Sequence, residues 1–381
     1  MKKKVLILFP QPHIAFSPTT LGLYDALAPY FDVTVFCPLP RDQKKADIKE
    51  RNTQYFRFNT KRSSKLKALP LFLLQKAKRL LGIHAISGGL NIYDFVRFSE
   101  YRKALKSITG EYDEIIAVDM MMLFLSQSFF KKAYFLSLEL TDSELPFLRA
   151  TNKSFIEAVI VQTQKRYEYL FGSSVLKTFF VQNAPVFNNS TPKPKIKNSL
   201  LFNGRAGPAF GLYRCLKFIR KYSGFTLTIQ GTVLEEDKEN NAKEYGNLIA
   251  DKKVCIVSDY MEQQEMLDFM GSYEIGFCFY DFSYPKINTF NYRTAPSGKM
   301  FTYFAAGVPV IGNRSDGLQP INDFNAGILI DDFEPETILN AVKLIQCNYE
   351  YYEKNCSKAA EHYSFDKNIT PFISYLIEKS E

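Results

Sequence analysis

The sequence has few histidines and cysteines, the residues that most often bind zinc or form disulfide bonds. It contains three His and six Cys, with no Cys-x-x-Cys pair and no His at ligand spacing. Zinc sites and disulfide frameworks are therefore disfavoured, and a reducing compartment is favoured. Several cysteines lie within apolar runs, as in Val-Cys255-Ile-Val and Phe-Cys278-Phe, where we expect buried free thiols.

The start of the chain lacks an apolar run long enough for a signal peptide or a membrane span. After Met-Lys-Lys-Lys, the apolar segment 5–9 ends at Pro10. This segment instead predicts the first strand of a buried parallel sheet. The composition is 46% apolar and 23% charged, which is typical of globular proteins and argues against disorder or a coiled coil.

Length and strand pattern predict two α/β domains. A chain of 381 residues is too long for one ordinary core. Short apolar segments recur along it, each followed by a helical pattern, which is typical of a parallel sheet covered on both faces. The predicted strands are 5–9, 32–37, 114–118, 133–138, 158–162 and 178–182 in the first half, and 199–204, 225–231, 254–257, 275–279, 308–311 and 327–330 in the second.

A segment with the composition of a linker separates the two halves. Residues 188–198 are poor in apolar side chains and contain two prolines. We therefore predict an N-terminal Rossmann-like domain over 1–187 and a C-terminal one over 199–364, followed by a last helix over 365–381. No fixed-period repeat of solenoid type is visible.

The segment 295–312 carries the strongest chemical signal. Residues 296–298 are suited to starting a helix, Gly307 to ending it, and an apolar strand follows. The helix N-terminus is then expected at the carboxyl edge of the sheet. There, free N–H groups, the Ser297 hydroxyl and the Lys299 ammonium would face an anion such as a diphosphate. The alternative is an ordinary connection between two strands.

Residues 61–83 interleave cations with Leu and Phe, which predicts a basic amphipathic helix. One interpretation is a domain helix with a solvated cationic face. Another is peripheral attachment to an anionic membrane, which the net charge of +8 supports. Nucleic-acid binding is a third, although no recognisable module or stacking platform accompanies the charge.

The sequence from Gly298 to Ile311, Gly-Lys-Met-Phe-Thr-Tyr-Phe-Ala-Ala-Gly-Val-Pro-Val-Ile, resembles the signature of GT-B glycosyltransferases of family 4. In that family the helix reads roughly K-x-x-E-Y-x-A-A-G-x-P-V-I. Residues 199–205 are similar to the strand ending in Gly-Arg that opens the family's nucleotide-binding domain. Residues 316–331 and 334–342 match its next elements in order, and 363–366 resembles the turn that returns the last helix to the N-terminal domain. The resemblance spans nearly the whole chain, loosely at its start.

The resemblance implies a GT-B fold, with two Rossmann-like domains facing an interdomain cleft, and a retaining, metal-independent, hexosyltransferase-like enzyme. Such an enzyme moves a sugar from a nucleotide diphosphate sugar, UDP- or GDP-linked, to a hydroxyl acceptor without a cofactor. Fixed cations would stabilise the departing diphosphate, and we assign Arg205 and Lys299 to this role. The donor site as a whole is assigned to Gly204, Arg205, Gly231, Thr294, Ser297, Gly298, Lys299 and Thr302.

The sequence departs from the family pattern at two positions. Family 4 enzymes typically carry one glutamate near the donor sugar and another on the ribose, and Thr294 and Thr302 stand at the matching positions here. Sugar recognition therefore does not carry over from the family. A degenerate, non-catalytic sugar-nucleotide-binding protein is the alternative to an enzyme, whereas a sugar-nucleotide epimerase would need clustered acids and His that we do not find.

Polar residues follow several strands of the first half, at the edge where a doubly wound sheet binds ligands. His13, Ser17 and Thr19 follow the first strand and are candidate contacts to the sugar or the acceptor, with His13 a candidate base. Asp119 and Glu139 follow two later strands, and either would serve as the base if the reaction inverts.

The pair Asp331-Asp332 has the appearance of a metal-binding pair. It follows a strand, however, where we expect it to cap a turn, and no metal site is assigned.

The resemblance and the basic helix together suggest a place in cell-surface polysaccharide or glycolipid synthesis. The acceptor would then be a saccharide or a lipid-linked saccharide. The expected location is the cytoplasm, with peripheral binding of 61–83 to the inner face of the cell membrane.

Overall fold

The chain forms two compact units. A computed structural model describes residues 2–12, 14, 17–39, 51–57, 69, 70, 73, 74, 77, 92–108, 110–187, 193–232, 246–259 and 261–379. Unit 1 comprises Met1–Val181 and Asn368–Glu381, and unit 2 comprises Gln182–Lys367.

Unit 1 is built on a seven-stranded parallel sheet. Its strands are β1 (Lys4–Leu8), β2 (Asp32–Pro38), β3 (Thr53–Phe56), β4 (Glu114–Val118), β5 (Ala133–Leu136), β6 (Ile156–Val161) and β7 (Thr178–Phe180). They lie in the order β3-β2-β1-β4-β5-β6-β7. The central strands are buried on both faces, which explains their continuous apolar sequences.

The described helices of unit 1 cover this sheet and share its core. They are α1 (Pro18–Leu27), α2 (Ile92–Lys106), α3 (Asp119–Ser126), α4 (Leu145–Ala150) and α5 (Gln164–Phe171). Phe135 and Val159 of the sheet form one cluster with Met122 of α3 and Phe147 of α4.

Unit 2 repeats the design with a six-stranded parallel sheet. Its strands are β8 (Ser199–Asn203), β9 (Thr226–Gln230), β10 (Val254–Val257), β11 (Ile275–Cys278), β12 (Val310–Asn313) and β13 (Gly327–Ile330). They lie in the order β10-β9-β8-β11-β12-β13. The predicted α/β class with two Rossmann-like parallel sheets is therefore confirmed.

Two groups of helices pack in unit 2. The described helices after β8 are α6 (Leu212–Lys221), α7 (Gln263–Met270), α8 (Phe290–Thr294), α9 (Gly298–Ala305), α10 (Pro320–Asp323), α11 (Pro335–Cys347), α12 (Tyr349–Tyr363) and α13 (Phe365–Glu378). α6 packs against α11, whereas α9 packs against α7 and α12.

The last helix, α13, contributes to the core of unit 1. The ring of Phe372 lies 5.4 Å from that of Tyr134 and 5.4 Å from that of Phe179. Lys379 forms an ion pair of 2.8 Å with Glu157, which is 13% exposed. Aromatic packing and a partly buried charge pair thus hold the end of the chain on this unit.

Part of the segment predicted as a linker packs onto unit 2. Lys195 Nζ donates to the carbonyl groups of Gly271 and Gly307 at 2.9 and 3.0 Å and pairs with Glu353 at 3.3 Å. Gly271 and Gly307 lie at the C-terminal ends of α7 and α9. The cation therefore stabilises carbonyl groups that a helix leaves unsatisfied.

Two strand predictions need correction. β3 has no counterpart among the predicted strands, because its sequence Thr-Gln-Tyr-Phe is half polar, as suits an edge strand. Cys255 was expected to be buried, but it is exposed. It belongs to β10, an edge strand of the six-stranded sheet of unit 2, and one face of this strand is open. Cys278, on the internal strand β11, is buried as predicted.

Within the described residues, no helix combines the length and the apolar character needed to cross a bilayer. The predicted basic helix over 61–83 lies largely outside the residues that the structure describes. Leu69, Leu73 and Leu74, which are described, are 36%, 53% and 52% exposed.

Candidate functional site

The candidate site of unit 2 lies where the strand order reverses. β9 adjoins β8 on one side and β11 adjoins it on the other, so the loops after β8 and β11 diverge and leave a crevice. Sheets of this kind bind ligands in that crevice. Gly204 and Arg205 follow β8, Tyr280 follows β11, and Lys299 lies in the first turn of α9.

Two glycines shape the floor of the crevice. Gly204 has a φ of 91°, and a Cβ atom there would lie 3.4 Å from Cε of Lys299. Gly231, with a φ of 131°, packs so closely that its Cβ atom would lie 2.2 Å from the carbonyl oxygen of Gly204. Both positions therefore favour glycine, and the Lys299 side chain lies directly over the Gly204 backbone.

Lys299 has an unusual environment for a cation. Its ammonium lies 5.0 Å from the ring centres of Phe202 and Phe210 and 5.9 Å from that of Tyr280. Among the residues that the structure describes, no carboxylate or other hydrogen-bond acceptor contacts it. Desolvation lowers the pKa of Lys299 from its usual value. Three aromatic faces stabilise the charge and leave its N–H donors available to a ligand.

Arg205 brings a second positive charge to the same ring. Its guanidinium carbon lies 5.9 Å from the centre of Phe210. The side chain is exposed and has no ion pair or hydrogen bond with any described residue. Two cations that share one aromatic ring, with no counter-charge described beside them, can bind a doubly charged anion.

The N-terminus of α9 adds backbone donors to the cations. Ser297 is its N-cap residue, but its side chain makes no cap hydrogen bond. Instead, the Tyr280 hydroxyl donates to Ser297 Oγ at 3.0 Å. The N–H groups of Gly298 and Lys299 have no acceptor among the described residues, and a helix N-terminus with free N–H groups binds anions.

Thr294 and Thr302, assigned to the donor site, bond within their own helices. The Thr294 hydroxyl donates to the Phe290 carbonyl at 2.7 Å, and that of Thr302 donates to the Gly298 carbonyl at 2.9 Å. Each hydroxyl oxygen keeps acceptor capacity, but its proton is used. Neither residue replaces a carboxylate as an acceptor of two strong hydrogen bonds.

The candidates after β1 have mixed outcomes. His13 lies outside the residues that the structure describes. Ser17 is the N-cap of α1, where its Oγ accepts from the Thr20 N–H at 3.4 Å and lies 2.8 Å from the Thr20 hydroxyl. Thr19 is buried, at 4% exposure. The Ser17 hydroxyl thus begins the helix, and Thr19 lies buried in its first turn.

Asp119 and Glu139 come together at the carboxyl edge of unit 1. Asp119 is buried, and its Oδ1 accepts the N–H groups of Leu138 and Glu139 at 3.0 and 3.1 Å. Burial raises the pKa of Asp119 to about 7, and the two N–H donors lower it in part. Glu139 is exposed. The carboxylate of Asp119 thus holds the backbone that carries the carboxylate of Glu139.

Asp332 caps a turn, as predicted. Its Oδ1 accepts the Glu334 N–H at 2.9 Å, and Asp331 forms an ion pair with Arg314. Across the described ranges, no three His, Cys, Asp or Glu side chains converge in a way that would hold a metal ion.

The aromatic residues around Lys299 were not predicted from the sequence. Phe202 belongs to β8, Phe210 to the loop after it, and Tyr280 to the loop after β11. Spacing along the chain does not bring them together, because residues 202 and 280 meet only through the pairing of two strands. The strand order could have suggested this cluster. β8 and β11 are neighbours in the sheet, so aromatic residues at or after their carboxyl ends come close together.

No family model and no curated protein sequence matches this chain. Among solved structures, HepE of Anabaena, crystallised with UDP-glucose, matches with a TM-score of 0.65 and 14% identity over 99% of both chains. Sucrose-phosphate synthase of Thermosynechococcus elongatus matches with a TM-score of 0.69 and 13% identity over 99% of both chains.

A third solved structure is WaaG, a glycosyltransferase involved in lipopolysaccharide biosynthesis. It matches with a TM-score of 0.61 and 12% identity, over 97% of this chain and 99% of WaaG. At such low identities the similarity concerns the fold. The predicted GT-B fold, made of two Rossmann-like domains, is confirmed.

Proposed function

We propose that the chain is a glycosyltransferase that moves a sugar from a nucleotide diphosphate sugar to a hydroxyl acceptor. The environment of Lys299 is the main support, because its partly buried ammonium contacts three aromatic rings and no acceptor among the described residues. A desolvated cation is costly unless an anion joins it. The Arg205 guanidinium and the free N–H groups of α9 favour an anion with two charges, such as a diphosphate.

The same groups supply the chemistry that the reaction needs. When the glycosidic bond to the donor breaks, negative charge develops on the departing nucleoside diphosphate. Lys299, Arg205 and the α9 N-terminus stabilise that charge, and the stabilisation grows as the bond breaks. Such a site needs no metal ion and no cofactor. The proposed outcome is retention, for which an enzymatic base is not required.

The proposed donor is a UDP-sugar. HepE, which has the same fold, is described in complexes with UDP-glucose and with UDP. The acceptor is proposed to be a saccharide or a lipid-linked saccharide. WaaG, with the same fold, is described as a lipopolysaccharide enzyme, which supports a role in cell-surface polysaccharide or glycolipid synthesis. Glu139, exposed at the carboxyl edge of unit 1, is the proposed acceptor contact.

Ligand-induced stabilisation tests the donor site directly. We expect UDP and UDP-glucose to raise the melting temperature of the chain, because both carry the diphosphate and bind only the folded state. Uridine, which has the base and ribose but no phosphate, should produce little change. The changes in melting temperature with GDP-, ADP- and CMP-sugars then identify the preferred nucleotide. Equal effects of uridine and UDP would contradict a diphosphate site.

Turnover separates an enzyme from a degenerate sugar-nucleotide-binding protein, the alternative that Thr294 and Thr302 favour. An enzyme incubated with UDP-glucose should release UDP, with water as the acceptor when no sugar acceptor is added. A pure binding protein should give the thermal shift and release no UDP.

Peripheral membrane attachment through residues 61–83 is a separate part of the proposal. The exposure of Leu69, Leu73 and Leu74 and the many cations in the sequence of this segment support it. The chain should sediment with vesicles that contain anionic phosphatidylserine at low salt and be released at high salt. Neutral phosphatidylcholine vesicles are the control. Failure to sediment with anionic vesicles at low salt would contradict the attachment.

A further inference from the structure

Asp119 adopts a backbone conformation that is unusual for its residue type. Its φ is 63°, in the left-handed region, although it begins the helix α3 directly after β4. Residues other than glycine rarely adopt such a φ, and Asn and Asp are the main exceptions. The side chain is buried, at 8% exposure. A strained, buried carboxylate at the ligand-binding edge of a sheet is typical of a residue with a role in the site.

The carboxylate of Asp119 and the guanidinium of Arg166 hold one peptide group from opposite sides. Asp119 Oδ1 accepts the Glu139 N–H at 3.1 Å, and Arg166 Nη2 donates to the Leu138 carbonyl at 2.9 Å. This N–H and this carbonyl belong to the same peptide group. Asp119 also accepts the Leu138 N–H at 3.0 Å. The orientation of the peptide that precedes Glu139 is therefore fixed at both of its polar atoms.

Glu139 is the exposed residue on this fixed backbone. The next residue, Leu140, is 5% exposed and anchors the loop on the other side, and Arg166 is fully buried. Glu139 has no helix or strand of its own to hold it. Hydrogen bonds with two buried side chains, Asp119 and Arg166, replace the secondary structure that would otherwise restrict its backbone.

We propose that Asp119 and Arg166 are positioning residues that fix the Leu138–Glu139 peptide so that Glu139 presents its carboxylate to the acceptor hydroxyl. The inference rests on the proposed glycosyl transfer. It reassigns Asp119 from a candidate base to a support for Glu139, since the Oδ1 atom of Asp119 already accepts two backbone donors.

Two substitutions of Asp119 separate positioning from acid-base chemistry. Asn tolerates the left-handed φ and keeps an oxygen that accepts both N–H groups, but it has no carboxylate. Gly tolerates the φ and has no acceptor. We expect Asp119→Gly to lower the kcat of UDP release from UDP-glucose, with water as acceptor, by about 100-fold, the cost of misplacing a reacting group by about 1 Å. Asp119→Asn should recover most of that loss.

Controls isolate the effect on the loop. The dissociation constant of UDP, measured by calorimetry, should stay within about twofold in both variants, because the donor site belongs to unit 2. Lys252→Gly, at an exposed residue with a φ of 55°, controls for placing glycine in the left-handed region. Hydrogen exchange of the Glu139 amide should accelerate in Asp119→Gly and not in Asp119→Asn, because only Asn keeps the oxygen that accepts this N–H.

Three results would overturn the proposal. The first is equal loss of kcat in Asp119→Asn and Asp119→Gly, which would show that the carboxylate itself reacts. The second is a full rate in Asp119→Gly. The third is a wild-type rate in Glu139→Ala. Because the Glu139 side chain is exposed, we expect this variant to fold. It therefore keeps the test valid even where Asp119→Gly fails to fold. Failure of the proposed function differs from all three, because the wild-type chain would then release no UDP from UDP-glucose, whether or not it binds UDP.

Discussion

We expect Lys299→Met to weaken UDP binding by about 100-fold, or about 2.8 kcal/mol, and to abolish measurable transfer. The melting temperature of the unliganded chain should stay equal or rise. The binding loss reflects the missing charge-assisted hydrogen bonds to the diphosphate. Stability behaves in the opposite way, because the wild-type ammonium is desolvated between Phe202, Phe210 and Tyr280 with no acceptor among the described residues. Met keeps the packing and removes the desolvated charge.

Calorimetric titration of UDP and differential scanning calorimetry measure both effects. Lys343→Met is the matched control, since Lys343 lies on an exposed part of α11 in the same unit and should change neither UDP affinity nor turnover. Arg205→Gln should weaken UDP binding by less, about tenfold, because this guanidinium is exposed and already solvated. A Lys299→Met variant that binds UDP as tightly as the wild type would remove Lys299 from the site.

The strands could be predicted because most of them are internal to their sheets. A strand buried on both faces has a continuous apolar sequence, as in Val5 to Leu8 of β1, and such runs are recognisable without any knowledge of their partners. At two edge strands, β3 and β10, this signal is less informative, although the edge strands β7 and β13 were predicted. β3 was missed because it is half polar, and Cys255 of β10 was placed in the core because its neighbours are apolar.

The cations of the site could be predicted for a related reason. Lys299 lies two residues after an N-cap residue and Arg205 two residues after the end of a strand, so local patterns place both at the ligand-binding edge of a doubly wound sheet. What holds them could not be read locally. Phe210 lies near both charges only because the loop after β8 folds across the start of α9. Likewise, the hydroxyl of Ser297 meets Tyr280 instead of capping its helix.

The location of Asp119 could be predicted from the sequence, but its contacts could not. Its position after β4 identified it as an edge carboxylate, and the structure places it there, in contact with the backbone of Glu139, which was not predicted. Burial and the two N–H donors from another strand's loop are tertiary features with no local signal. These features also make Asp119 the source of a large pH effect on stability.

The pKa of Asp119 is raised from 3.8 to about 7, first by burial and then by the charges of Glu144 and Glu139, against the lowering by its two backbone donors. Arg166 faces it as well. Between these two pKa values the folded chain retains a proton that the unfolded chain releases. The free energy of unfolding therefore falls as pH rises through this window. From pH 5 to pH 8 the loss amounts to about 3 kcal/mol, at about 1.4 kcal/mol for each pKa unit.

Asp119→Asn removes this titration and keeps the acceptor oxygen, so the variant should gain stability relative to the wild type as pH rises. We expect melting temperatures that differ by about 10 °C more at pH 8 than at pH 5, in favour of the variant, for a unit of this size. Asp32→Asn, at an exposed carboxylate of the same unit, is the control and should track the wild type at both pH values. Glu144, a half-buried carboxylate whose charge raises the pKa of Asp119, titrates in both chains, and burial raises its own pKa. The wild type and Asp119→Asn would contradict this prediction if their melting temperatures differed by the same amount at pH 5 and pH 8. Asp119 would then ionise at the same pH in the folded and unfolded chains, and burial would not be the dominant influence on its charge.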